Sequence, residues 1–286
     1  MAHHFSRAAV AVAAVCAGNS PVLAQTTVLE DVVVTAPRPV PLPTASRGPT
    51  PGEVTAQAAA SSDAARLLAT VPGVALAGAG GVSSLPVIHG LADDRNRIRV
   101  DGMDLISACA NHMNPPLSYI DPTNVGRIQV FSGVTPVSAG GDSLGGTIIV
   151  VSQGPRFADP GAGLWTHATL GTFYRSNGDG HGFNATAALA SEQLSVTYSG
   201  ATAEAKNYKA AKDFKPGALA TWTTRGSHWI GGDVVGSSGY KTENHALGFA
   251  LRNGDHLLDL KVGFQHIPEQ GFPNQHMDMT DNRSTQ

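Results

Sequence analysis

From about residue 161 onward, apolar residues recur at every second position. Leu164, Ala168 and Leu170 fall on one face, shared with Thr166 and Thr172. Leu194, Val196 and Tyr198 repeat the pattern, followed by Leu247, Phe249 and Leu251 and by Leu258, Leu260, Val262 and Phe264. A period of two predicts strands. Asn177-Gly178-Asp179-Gly180 and Asn253-Gly254-Asp255 supply turns between them, and Pro268-Glu269-Gln270-Gly271 predicts another after a strand from Leu257 to His266. The predicted strands run to about ten residues, and a tilted strand needs about 9–11 to cross a bilayer. A soluble β-sandwich also alternates. The polar, aromatic-flecked insert from Lys206 to Lys241 is long for a sandwich turn and suits the outer loop of a membrane barrel.

The segment 54–155 has a different texture. Ser61-Ser62-Asp63 is an N-cap cluster ahead of a short helix, Ala64-Ala65-Arg66-Leu67-Leu68, which Val71-Pro72-Gly73-Val74 ends. Gly78 to Gly81 reads as a glycine-rich turn. Val87-Ile88-His89-Gly90, Ile98-Arg99-Val100-Asp101-Gly102, Arg127-Ile128-Gln129-Val130-Phe131 and Thr147-Ile148-Ile149-Val150-Val151 read as short strands. Gly140 to Gly146 is the turn that enters the last of them. The pattern is that of a small mixed α+β unit.

The first 24 residues read as a secretory leader: His3, His4 and Arg7, an apolar run from Ala8 to Ala17, then Val22-Leu23-Ala24 as a small-x-small cleavage site. The run is shorter than the roughly 20 residues of a spanning helix. A lipoprotein site at Cys16 is the alternative, with Val15 a poor fit before it. Residues 25–53 read as a tether. Three consecutive valines, Val32 to Val34, favour an extended backbone, and Pro37, Pro39, Pro41, Pro43, Pro49 and Pro51 stiffen the chain beyond them. A short extended segment on such a tether suits addition to a partner's sheet edge.

Composition narrows the function classes. Charged residues are 14%, glycines number 33 of 286, and the formal charge is −3. That charge, with no basic stripe interleaved with aromatics, argues against a nucleic-acid partner. No His-Glu-x-x-His occurs, and Gly78, Gly80 and Gly81 do not fit a dinucleotide fingerprint, so neither of these enzyme signatures is present.

The densest chemistry is Cys109-Ala110-Asn111-His112-Met113, in a loop that also holds Asp101, Met103 and Asp104. The other cysteine, Cys16, lies in the leader. The exported chain would therefore carry one thiol without a disulfide partner in an oxidising compartment. Thiol, thioether and imidazole together select soft metals, copper(I) above all. A helical turn would bring Cys109 and Met113 to one face, and Asn114-Pro115-Pro116 would stop it at once. Taken singly, these residues also suit a polar loop with a buried Cys and core methionines. A second cluster, Asn274-Gln275-His276-Met277-Asp278-Met279, comes after the last alternating strand.

Together these pieces resemble a TonB-dependent outer-membrane receptor over nearly the whole chain. Leu29-Glu30-Asp31-Val32-Val33-Val34-Thr35-Ala36 resembles the TonB box. The plug domain is matched by Asp63 to Leu68 with Val71-Pro72-Gly73-Val74, by Pro86-Val87-Ile88-His89-Gly90-Leu91, by Arg97-Ile98-Arg99-Val100-Asp101-Gly102-Met103, and by Arg127-Ile128-Gln129-Val130 through Gly145-Gly146-Thr147-Ile148. His89 stands where the family usually has Arg, and Gly126 where it usually has Glu. The implied architecture is an α+β plug (54–155) followed by antiparallel transmembrane β-barrel strands (160–286). The family's barrel has about 22 strands, and at roughly 20 residues per strand this chain supplies about six. The barrel is thus expected to be incomplete here and the sequence a fragment.

The resemblance implies a receptor in the outer membrane of a Gram-negative bacterium, in contact with lipid and with TonB through Leu29, Glu30, Asp31, Val32, Val33 and Val34. It implies import of a metal ion or metal chelate, with no permanently bound cofactor. A Cys-x-x-x-Met on the plug completed by His and Met from the barrel resembles the family's copper receptors. Cys109, His112, Met113, His276, Met277 and Met279 are then the candidate metal ligands, and copper the expected cargo. A siderophore-iron or zinc receptor is the alternative within the family. A non-transporting exported metal-binding module is the alternative outside it.

Overall fold

The computed structural model describes residues 48–78, 80–107, 109–213, 232–273 and 278–286. The leader, the valine segment from Leu29 to Ala36, most of the proline tether, His276 and Met277 lie outside the described residues.

Helix α1 (Pro51–Ala60) opens the first body, so the expected tether ends earlier than residue 53. Its start is locally encoded. Pro51 sits at the first helical position, the Thr50 Oγ1 accepts from the Glu53 amide at 3.3 Å, and the Glu53 carboxylate takes the Thr50 amide at 2.7 Å. This reciprocal cap satisfies two otherwise orphaned groups, and the Thr50 amide, joined by the Thr50 hydroxyl at 2.9 Å, holds the Glu53 carboxyl below its ordinary pKa. The short helix Ala64–Leu68 comes next as a 3-10 turn capped by Asp63. A hairpin of β1 (Val74–Gly78) and β2 (Ser84–Ile88) leads to a four-stranded mixed sheet. That sheet holds β3 (Asn96–Val100), β4 (Met103–Asp104), β5 (Val125–Ser132) and β6 (Gly146–Ser152) in the order β4-β3-β6-β5, with β3 and β6 parallel. Its alternation is the ordinary one for a protein interior: Ile98, Val100, Ile128, Val130, Ile148 and Val150 turn inward against Leu67, Leu68, Ile88 and Leu117.

The second body is one antiparallel sheet of six strands in sequential order. They are β7 (Trp165–Arg175), β8 (Gly180–Ala190), β9 (Leu194–Ala205), β10 (Tyr240–Asn253), β11 (His256–Gln270) and β12 (Met279–Thr285). Six strands meet the expectation from length. The turn expected at Pro268 to Gly271 does not form; β11 continues to Gln270. Pro268 falls at the register shift opposite Lys241 and Glu243. A bulge is where a strand tolerates a residue without an N–H.

The faces of this sheet are inverted relative to a soluble one. Leu170, Leu189, Leu194, Tyr198, Leu247, Phe249, Leu251, Leu258, Leu260, Val262 and Phe264 are all exposed on its outer face. Ser195, Ala201, Ala203, Thr242, Ala250 and Gln265 are buried on its inner face. Soluble monomers rarely expose a contiguous apolar surface of this extent. Small and polar side chains inward with apolar side chains outward is the pattern of a wall that faces lipid.

The inner face carries the first body through hydrogen bonds. Arg175 donates to the Ser62 hydroxyl at 3.2 Å and to the Ala59 carbonyl at 3.1 Å, and the Tyr240 hydroxyl donates to Ser62 at 3.2 Å. Ser199 donates to Asn124 at 3.1 Å, Gln265 to the Ser118 carbonyl at 2.8 Å, Gln270 to Ser83 at 2.7 Å and Lys261 to Ser152 at 2.9 Å. One small apolar contact joins them, with Val82 among Ala203, Tyr240 and Ile267.

Candidate functional site

The loop between β4 and the 3-10 turn Pro116–Tyr119 carries the candidate ligands of the first body. It does not form the expected helical turn. The His112 amide bonds the Cys109 carbonyl at 2.9 Å, closing a tight turn, and His112 itself takes a left-handed backbone with φ of 51°. Two local causes defeat a helix. The Ser107 hydroxyl reaches the carbonyls of Cys109 (2.9 Å) and Asn114 (3.0 Å) and shares its one hydrogen between them, competing with helical bonds for these acceptors. Asn114 also precedes proline, which disfavours helical backbone.

The side chains then sort by environment. Cys109 is a free thiol of intermediate exposure. Met113 is buried, with 5% of its surface exposed. The His112 Nε2 lies 4.0 Å from the Asp93 carboxylate. Two other oxygen candidates in this loop region are already engaged. Asp104 is gripped by Arg97 through two bonds of 2.7 and 2.6 Å, and this contact holds its carboxyl below the ordinary value. Asp101 accepts from the Ser152 amide at 2.9 Å and the Ser152 hydroxyl at 2.6 Å. Met103 is exposed on β4, at the strand's start.

From the second body, Met279 opens β12 on the inner face and packs against the Val82, Tyr240 and Ile267 cluster. Its sulfur accepts a hydrogen bond from the Asn114 Nδ2 at 3.1 Å. Thus the loop of the first body and the start of β12, 165 residues apart in sequence, meet through a buried amide. Sequence reasoning gives Asn114 only the role of stopping a helix before Pro115; nothing in its spacing marks it as the bridge. Of the six candidate ligands, the structure describes Cys109, His112 and Met113 on one loop and Met279 against Asn114 of that loop. His276 and Met277 fall outside the described residues. Among the described residues, no group of three or more His, Cys, Asp or Glu side chains converges. A soft-metal site here therefore depends on the two thioethers as well as the thiol.

Two further carboxylates are buried in the first body. Burial raises the pKa of Asp63, which caps the Ala64–Leu68 turn, and of Asp121, which caps Pro122–Asn124. Both act as caps and lie apart from the sulfur loop in the chain.

Residues 50–147 match the family model of the TonB-dependent receptor plug domain. Among solved structures, the chain is similar to the copper transporter OprC, with 25% identity, coverage of 79% of this chain and 31% of that one, and a TM-score of 0.62. It is similar in fold to the FrpB iron transporter from Neisseria meningitidis, with 20% identity, coverage of 72% and 29%, and a TM-score of 0.58. The chain thus spans about a third of the length of these structures. No curated protein sequence matches it.

Proposed function

We propose that the chain belongs to an outer-membrane importer of copper, since residues 50–147 match the plug domain of TonB-dependent receptors and the plug and the described strands after it together resemble a solved copper transporter. The plug loop supplies Cys109, His112 and Met113, and the wall supplies Met279. His276 and Met277, on the segment just ahead of β12, are the remaining candidates. The observation that carries the reading is the Met279 sulfur seated on the plug loop by Asn114 at 3.1 Å. The bond brings one methionine of the later segment to the residue that follows Met113, although the two lie 165 positions apart in sequence. The likeness to a copper transporter at 25% identity supports the same cargo. Thiolate and thioether favour copper(I) over harder ions.

The energetics of import grow out of the architecture. The plug meets the wall mostly through hydrogen bonds, which are worth about 0.5–1.5 kcal/mol each and can be exchanged for bonds to water. Cargo bound across plug loop and wall would favour one plug position over another, which coupling requires. The segment from Leu29 to Val34 is the candidate strand for a TonB partner, by β-augmentation. Metal analysis of the purified full chain, wild type beside Cys109→Ala and Met113→Ala, tests the cargo. Copper retained by wild type and lost from both variants supports the reading; equal copper in all three contradicts it.

A further inference from the structure

Asn114 has features that a turn-forming asparagine does not need. Its side chain is only 6% exposed, its Nδ2 is spent on Met279, and its Oδ1 has no hydrogen-bond partner among the described residues. The buried amide oxygens of Asn96, Gln265 and Gln270 are likewise without a partner among the described residues; what sets Asn114 apart is its Nδ2 bond to a thioether on a distant strand. The backbone around it is held with care. The Ser107 hydroxyl lies within bonding distance of both the Asn114 and the Cys109 carbonyls and shares its one hydrogen between them. Met113 immediately precedes it and is buried.

We infer that Asn114 is a positioning residue for the metal: its amide holds the Met279 thioether on the plug loop before cargo arrives and tunes that sulfur once cargo is bound. The metal half of this inference rests on the copper reading above; the bridge itself does not. A thioether has two lone pairs. The amide hydrogen occupies one and leaves the other for a soft cation. The donor is neutral, so it orients the sulfur without opposing the incoming charge, as Lys or Arg there would. Methionine is flexible and adapts to irregular surroundings. A fixed donor removes that freedom in advance, which is how groups behind metal ligands raise affinity.

The test uses the full chain in detergent and has two arms. Asn114→Leu keeps the side-chain volume and removes both the donor and the orphaned oxygen, so the plug is expected to fold. In the metal-free arm, limiting hydrogen peroxide is added and sulfoxide at Met279 is monitored by peptide mass spectrometry. Asn114→Leu is expected to oxidise there several-fold faster than wild type, because the sulfur loses its seat; equal rates overturn the bridge. In the cargo arm, copper(I) is titrated against a competing chelator for wild type, Asn114→Leu, Met279→Leu and the double variant. Asn114→Leu is expected to bind about 10–100-fold more weakly, and the double variant no more weakly than Met279→Leu. Wild-type affinity in Asn114→Leu, or fully additive losses, overturns the proposal. Failure of the wild type to bind copper(I) overturns the copper reading instead, and the peroxide arm then decides the bridge alone.

Discussion

The plug sheet and the wall sheet obey one rule and look opposite. In the plug, Ile148 is 0% exposed and its apolar neighbours close over it. In the wall, Leu260 is 54% exposed, while inner-face Ser195 and Gln265 are buried. Each sheet hides apolar groups from water, the plug in its own core and the wall against lipid. The difference also explains the seam. A wall whose inner face is small and polar offers the plug few apolar contacts and many hydrogen bonds, so the two bodies can be held in register and still be separable.

Several substitutions break or sharpen this contrast. Ile148→Ala empties a fully buried plug position and should cost about 2–5 kcal/mol in urea unfolding monitored by hydrogen exchange of plug amides; a loss under about 1 kcal/mol would place that strand outside a packed core. Leu260→Arg on the wall should cost about 2–4 kcal/mol when the full chain is unfolded from lipid vesicles. At a water-exposed position the same change would stay within about 0.5 kcal/mol, and that result would remove the lipid-facing assignment. Gly81→Ala probes the seam, because a Cβ there would overlap the Tyr240 ring. Overpacking of this kind costs about 1–3 kcal/mol. Faster proteolysis of the plug with the wall unaffected is the expected readout.

The smallest effect is a pH dependence confined to the plug. Burial raises the Asp63 pKa above 3.8, so the folded plug holds a proton that the unfolded chain releases. The stability from this group is full below the ordinary carboxylate value and is lost as pH rises through the raised folded value. Asp63→Asn should flatten the slope in that window, measured by urea midpoints at stepped pH. An unchanged slope would assign the dependence to Asp121, which is buried in the same sense.

Much of this contrast is legible in the sequence because it is a matter of period. Leu247, Phe249 and Leu251, and the run from Leu258 to Phe264, mark their strands by size alternation alone. Strand β8 escapes that signal. Its Gly-His-Gly-Phe-Asn-Ala-Thr-Ala-Ala-Leu-Ala holds mostly small residues on both faces, so the alternation has little amplitude. Helix α1 is hidden by Pro51, which reads as one more tether proline until Thr50 and Glu53 are seen to cap it. At the site, the ligand types are visible, since Cys109, Met113 and Met279 are unusual in such a polar setting. Their conformation is not, because it depends on Ser107 reaching two carbonyls and on Asn114 meeting a residue from a distant strand.

The most direct measurement of the central claim, a soft-metal site shared between plug loop and wall, is X-ray absorption at the copper edge of the copper(I)-loaded full chain. Wild type should show a sulfur shell that loses one scatterer in Met279→Leu and one in Met113→Leu. A shell that is unchanged by Met279→Leu, or one built of nitrogen and oxygen alone, would contradict it.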